Sequence, residues 1–242
     1  MEYNKNQGIL EFKKGLEDLS IILDEHQVKQ FLDYYELLIN WNKVMNLTSI
    51  TDFTEVITKH FLDSLSIVKI HYPKSDKILD LGTGAGFPGI PIKIAFPNTQ
   101  IVLMDSLNKR VNFLNEVIDK LKLDKISAIH GRAEDLGKDP SYRDGFDICT
   151  SRAVARLSVL SEYCIPFLKK GGYFISYKSG KITEELDEAK RAIEILGGTI
   201  KKKSEFQLSG TDMGRSLILI EKVKNTPKRY PRMAGKPTKE PL

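Results

Sequence analysis

The sequence predicts an α/β fold: a doubly wound, mostly parallel twisted sheet that closes on a terminal antiparallel hairpin and carries a helical N-terminal extension. Three observations predict it. From Lys77 onward, short apolar runs alternate with amphipathic stretches, which is the pattern of strands joined by crossover helices. The first of these runs ends in the glycine-rich loop Asp80-Leu81-Gly82-Thr83-Gly84-Ala85-Gly86-Phe87-Pro88-Gly89. Two late runs are separated only by Ser209-Gly210-Thr211-Asp212, a turn signal that joins an antiparallel pair.

The N-terminal region reads as helical before any strand begins. Val28, Phe31, Leu32, Tyr35, Leu38 and Ile39 recur at helical spacing behind the polar start Asp24-Glu25-His26-Gln27, and residues 8–22 and 53–70 also read as helices. The polar break Tyr72-Pro73-Lys74-Ser75 ends this region. Strands are then expected at 77–82, 100–105, 126–130, 146–151 and 172–177, and helices at 89–96, 107–122 and 154–169. In the second helix Leu107, Val111, Leu114, Ile118 and Leu121 mark one buried face. A helix at 182–196 precedes the hairpin strands near 199–208 and 216–223. The expected division is a helical region at 1–72, a core at 73–224 and a basic tail at 225–242.

A chain of 242 residues buries one full α/β core with an appendage. No stretch approaches the roughly 18 apolar residues that cross a bilayer, and MEYNKNQGIL does not resemble a cleaved signal, so a soluble cytoplasmic protein without a membrane partner is expected. Cys149 and Cys164 are too few for a disulfide framework, and His26, His60, His71 and His130 have no ligand spacing, so no metal centre is expected. The net charge is +5, but residues 222–242 hold seven basic side chains against Glu240 alone, leaving the remainder at −1. Such a concentrated cation suits phosphates, although a solubilising end would have the same composition.

The glycine loop carries the chemistry. Glycines at 82, 84 and 86 permit a sharp turn and close approach of the backbone to a nucleoside. Gly84, Gly86 and Gly89 also satisfy the dinucleotide fingerprint, with Asp105 21 residues beyond Gly84. Asp80 favours the other reading, because a carboxylate at the strand end repels a pyrophosphate and suits the sulfonium and amino group of S-adenosylmethionine. It either meets that ligand or anchors the loop. Asp105, ending the second strand, is expected to bind ribose hydroxyls. Ala133 and Glu134, following the third, are expected to read the adenine edge. A sheet that closes on a hairpin is the architecture of Rossmann-like methyltransferases.

Several stretches are more specific. Asn46-Leu47-Thr48, His60-Phe61-Leu62-Asp63-Ser64-Leu65, the Gly82 to Pro88 loop, Arg132-Ala133-Glu134, Ser151-Arg152-Ala153-Val154-Ala155 and Thr226-Pro227-Lys228-Arg229-Tyr230-Pro231-Arg232 resemble the bacterial ribosomal RNA small subunit methyltransferase G family, also known as glucose-inhibited division protein B. The resemblance runs from about residue 20 to Leu242. It implies S-adenosylmethionine-dependent methylation of guanine N7 in 16S rRNA, with the 30S subunit or a precursor as partner and a monomer as the default state. It also implies cofactor contacts at Gly82, Phe87, Ala133, Glu134 and Arg152. Thr83 stands where that family often has a smaller residue, and its hydroxyl is compatible with the same loop.

Guanine N7 is an unprotonated acceptor, so its alkylation needs alignment and no general base. No residue is therefore assigned a proton-transfer role. Arg152, Arg156 and Lys178, near the carboxyl edge of the sheet, are the positioning candidates; Arg156 reads equally well as an exposed helix charge. His60 and Asp63 frame the substrate face or, for Asp63, simply a helix surface. Lys228, Arg229, Arg232, Lys236 and Lys239 form the expected RNA-binding arm, with Tyr230 free to stack on a base. The rival readings are an NAD-linked oxidoreductase, a methyltransferase with another acceptor, and a non-enzymatic RNA-binding protein.

Overall fold

The computed structural model describes residues 2–152, 155–180 and 182–242. Ala153 and Val154 of the Ser151 to Ala155 stretch lie outside the described residues. Helices α1 (Glu2–Asp18) and α2 (Glu25–Asn42) come first. Asp24 starts α2 with a capping box: its carboxylate accepts the Gln27 amide at 2.7 Å and the Gln27 side chain accepts the Asp24 amide at 2.9 Å. The single helix expected over 53–70 is instead broken into α3 (Phe53–Val56), a π-helical turn at Ile57–Leu62, α4 (Asp63–Leu65) and a 3-10 turn at Ser66–Lys69. Hydroxyls inside it bond back to the backbone, Thr58 to the Thr54 carbonyl and Ser64 to the His60 carbonyl, and so offer alternatives to regular helix.

Alternation then sets in as expected: β1 (Lys77–Leu81), α5 (Gly89–Ala95), β2 (Gln100–Asp105), α6 (Asn108–Lys120), β3 (Ile126–His130), α7 (Ala133–Leu136), β4 (Phe146–Arg152) and α8 (Leu157–Cys164). The chain ends with β5 (Leu168–Ser179), α9 (Thr183–Ile195), β6 (Gly198–Gln207), β7 (Gly214–Lys222) and α10 (Lys236–Lys239). Strand order is β3-β2-β1-β4-β5-β7-β6, parallel except that β7 runs against both β5 and β6. β5 begins before residue 172, because Leu168 pairs with Phe146 ahead of a register shift between Phe146 and Ile148. No described helix is long and apolar enough to cross a membrane.

Side chains along the buried strands alternate between the two faces. Ile78 joins a cluster with α1, α2, α5 and α6, whereas Leu79 and Leu81 join one with α8 and α9. Leu107 departs from the expected helix face: it precedes the first turn of α6 and is 53% exposed. A run of rings carries the N-terminal helices to the glycine loop. Phe12 meets Phe31 at 4.9 Å, Phe31 meets Phe61 at 5.0 Å, and Tyr34 bridges Phe61 and Phe87, each at 5.5 Å between centroids. The N-terminal region thus forms one wall of the site.

Candidate active site

The site lies along the carboxyl ends of β1, β2 and β4, where open α/β sheets bind ligands. After β1 the chain turns through Gly82, Gly84 and Gly86, all at positive φ. Asp80 is fully buried beneath this turn. Its carboxylate accepts the Thr83 hydroxyl at 2.6 Å and the Gly89 amide at 2.8 Å, so it clamps both ends of the loop. Any Cβ at Gly89 would stand 2.8 Å from Asp80 Oδ2 and 2.3 Å from Leu103, which makes glycine obligatory there.

Burial pushes the Asp80 carboxyl up to about 6, against the pull of the Thr83 hydroxyl, the Gly89 amide and the Arg152 charge. The folded chain therefore holds the Asp80 proton more tightly than the unfolded chain. Its contribution to stability is greatest below the unfolded value of 3.8 and is lost as pH rises through about 6. Asp80→Asn does not titrate. Its unfolding free energy relative to the parent should therefore rise by about 2 kcal/mol between pH 4 and pH 7, read by urea melts at both pH values. A difference independent of pH would disprove this burial cost.

Two hollows open on the rim. One, of about 360 Å³, is walled by Leu81, Met104, Asp105, Ala133, Glu134 and Gly235. The other, of about 430 Å³, is walled by Thr48, His60, Thr83, Gly84, Phe87 and Arg152, and shares Gly82, Asp105 and Ser106 with the first. Asp105 ties them together. Its Oδ2 accepts the Gly84 amide at 2.9 Å and meets Arg110 at 3.3 Å, while among the described residues Oδ1 accepts only the Leu107 amide and keeps a lone pair.

Arg152 closes the second hollow. It donates to Asp63 Oδ2 at 2.8 Å and to the Lys59 carbonyl at 3.3 Å, lies 5.1 Å from the Phe87 ring centroid, and approaches His60 Nδ1 at 3.4 Å. Since a guanidinium only donates, Nδ1 accepts and Nε2–H donates to the Thr48 hydroxyl at 2.9 Å. Burial and the Arg152 charge push His60 down to about 3, so the ring is neutral at physiological pH. A third hollow of about 540 Å³ adjoins this wall and is lined by His60, Asp63, Arg152, Lys178, Glu185 and Arg215.

Comparison with known proteins decides what kind of site this is. A family model described as rRNA small subunit methyltransferase G matches residues 27–211. A protein of that name from Lachnoclostridium phytofermentans is 60% identical over 232 residues, 96% of each chain. Another, from Desulforamulus reducens, is 53% identical over 98% of this chain and 99% of its own. This chain belongs to the rRNA small subunit methyltransferase G family.

Solved structures add the fold alone. TrmN from Thermus thermophilus superimposes with a TM-score of 0.52 at 15% identity, covering 69% of this chain and 53% of its own. The YcgJ protein from Bacillus subtilis gives the same score and identity and is covered completely, with 69% of this chain. Family membership overturns the oxidoreductase reading of the glycine motif.

Within this methyltransferase, the structure brings Gly82, Thr83, Gly84, Phe87, Asp105, Ala133, Glu134 and Arg152 to the two hollows, and Lys178 to the third. Other expectations are corrected. Of the two roles expected for Asp80, the structure places it as the loop's anchor: Oδ2 holds Thr83 and Gly89, Oδ1 faces the Thr150 hydroxyl at 3.4 Å, and the residue lines none of the three hollows. Gly86 packs against Ile90 and Tyr34 and is not a lining residue. Arg156 is an exposed helix-start charge paired with Glu188 at 3.5 Å.

The tail is not a free arm. Tyr230 is buried in the core and cannot stack on a base, and Arg232 is bound to buried Glu162. The Gly235 amide donates to Glu134 at 3.0 Å, making the tail a wall of the first hollow. Sequence reasoning gave no role to Arg215, Glu185 or Gly235. Each enters the site from a distant segment, with no local pattern to mark it.

Proposed function

We propose that this chain transfers the methyl group of S-adenosylmethionine to N7 of a guanine in 16S rRNA, acting as a monomer on the 30S subunit or its precursor. The observation that carries this reading is the row of adjoining hollows at the sheet rim, the first two sharing Asp105 and the third meeting the second at His60 and Arg152. The residues present fit the cofactor. Gly84 lies at φ +61° with nothing within 4 Å of where a Cβ would stand, so its backbone borders open space that a side chain would fill.

Asp105 Oδ1 is free to accept a ribose hydroxyl, and Glu134 beside Ala133 faces the adenine end. Gly82, Gly84, Thr83, Phe87 and Arg152 border the methionyl end. When bound, S-adenosylmethionine supplies an electrophilic methyl on a sulfonium. Neutral His60 adds no competing charge to that wall. Guanine N7 offers a lone pair and carries no proton, so the chain needs alignment and exclusion of water more than acid–base chemistry. Cys149 and Cys164 are buried in the cluster beneath α8 and do not line the hollows.

The deciding experiment incubates the protein with labelled S-adenosylmethionine and 16S rRNA, precursor particles or 30S subunits from cells lacking it, then maps the label by mass spectrometry. A 7-methylguanine is the expected product. Label at another atom, or none in any assembly state, refutes the reading.

Four tail cations, Lys228, Arg229, Lys236 and Lys239, remain exposed and are the proposed phosphate contacts. Changing all four to glutamine should weaken RNA binding. It should also flatten the slope of log affinity against log salt by about 0.7–0.9 for each cation that meets a phosphate. An unaltered slope in titrations from low to high salt would remove the tail from the RNA interface.

A further inference from the structure

We propose that Glu185 reads the acceptor base as guanine, its Oε2 accepting hydrogen bonds from N1–H and the N2 amino group; the inference rests on the guanine-N7 reading. Adenine also presents an N7 lone pair, so the reacting atom cannot by itself select guanine. The two purines differ on the N1–C2 side of the six-membered ring, where guanine carries two donors, N1–H and the N2 amino group, and adenine has an acceptor at N1 and no amino group at C2.

The third hollow supplies a partner for that edge. It joins the cofactor side at His60 and Arg152 and extends outward beneath the end of β5, where Lys178 and Glu185 stand. Arg152 on β4 is paired with Tyr177 on β5, one residue before Lys178. The strands that carry them lie about 4.8 Å apart, and the hollow's volume of about 540 Å³ admits a purine ring system. A base with N7 toward Arg152 turns its N1 edge toward Glu185.

Glu185 is prepared for this role on one side only. Its Oε1 accepts the Leu157 amide and the Lys178 ammonium, each at 2.6 Å. Among the described residues, nothing bonds to Oε2. The other carboxylate of this hollow is unavailable: Asp63 gives Oδ2 to Arg152 and Oδ1 to Arg215, each at 2.8 Å, and is only 4% exposed. Lys178 uses two donors, on Glu185 and on the Ala155 carbonyl, and keeps a third for guanine O6. Alkylation at N7 puts positive charge on the purine, so the attraction of a carboxylate for its N1 edge grows toward the transition state.

Glu185→Gln isolates the contact. The Gln carbonyl must face the Leu157 amide and Lys178, which only donate, so its amino group replaces Oε2 and meets the donor edge of guanine. The test uses the full chain, S-adenosylmethionine, and 30S subunits reconstituted with 16S rRNA carrying guanosine or inosine at the methylated position. Inosine keeps N7, O6 and N1–H but lacks the amino group. The parent should methylate inosine about tenfold less efficiently in kcat/KM. Glu185→Gln should lose about a hundredfold on guanosine, where two contacts go, and about tenfold on inosine, where only N1–H loses its acceptor, bringing the guanosine-to-inosine ratio close to one. Equal losses on both bases, or a parent that treats them alike, would overturn the assignment. A parent that leaves guanosine unmethylated at N7 would overturn the functional reading itself, and the assignment with it.

Discussion

Arg152→Ala should reduce methyl transfer about a hundredfold while leaving a folded protein. One guanidinium fork holds Asp63, the Lys59 carbonyl, His60 Nδ1 and the face of Phe87, so its loss releases the wall shared by the second and third hollows, the proposed cofactor and acceptor sites. Asp63 retains Arg215, which limits the loss of stability. Lysine should not rescue activity, since a point charge on a flexible stem cannot satisfy several fixed acceptors and pack on a ring together. Single-turnover rates at saturating cofactor, with a thermal melt of each variant, read the effect. Activity in Arg152→Lys equal to the parent's would show that charge alone suffices.

Arg232→Ala should cost about 3–5 kcal/mol of stability, among the largest effects available outside the apolar core. Glu162 is 1% exposed and accepts four bonds from Arg232: the backbone amide at 2.7 Å, Nε at 2.9 and 3.1 Å, one to each oxygen, and Nη2 at 2.6 Å. Removing the side chain leaves a buried carboxylate with the backbone amide as its remaining donor from Arg232. The same change should loosen Gly235 from Glu134 and so weaken cofactor binding. Arg232→Ala combined with Glu162→Leu should recover much of the stability, because an apolar pair removes the uncompensated charge. Urea melts and calorimetric titration with S-adenosylmethionine separate the two consequences. Full stability in the single variant would show that the tail is not held by this pair.

Much of the fold is legible because its signals are local. The strand-helix alternation, the glycine loop and the closing hairpin stand where expected, since periodicity and turn chemistry act over a few residues. Asp105 is legible for the same reason: a polar residue at the end of the buried strand β2 falls on the rim of a parallel sheet, whereas Glu134 reaches the same hollow from the first turn of α7, after β3. The segment 53–70 is not, because apolar spacing does not distinguish an α-helix from one interrupted by a π-turn. That interruption matters, since it lies on the segment that carries His60 and Asp63 to Arg152.

Charge is the least reliable guide. Seven cations over 222–242 read as a segment suited to phosphates and five of them as an RNA arm, yet within that arm Arg232 neutralises a buried glutamate, and upstream of it Lys222 is fully buried, bonded to Asp144 and to the Ile165 carbonyl. Composition records how much charge a segment has and nothing about what it faces.

By itself, the sequence determined the order of elements, the sheet that they form and the nucleoside-sized loop after β1, because backbone preference and hydrophobic period are properties of neighbouring residues. Only the tertiary structure decided which charges serve chemistry and which hold the fold. Asp63 with Arg152 and Arg215, Glu134 with Gly235 and Glu162 with Arg232 are separated by 70 or more positions in the chain. Their pairing depends on which faces of the sheet the helices cover, a choice made by packing of the whole core.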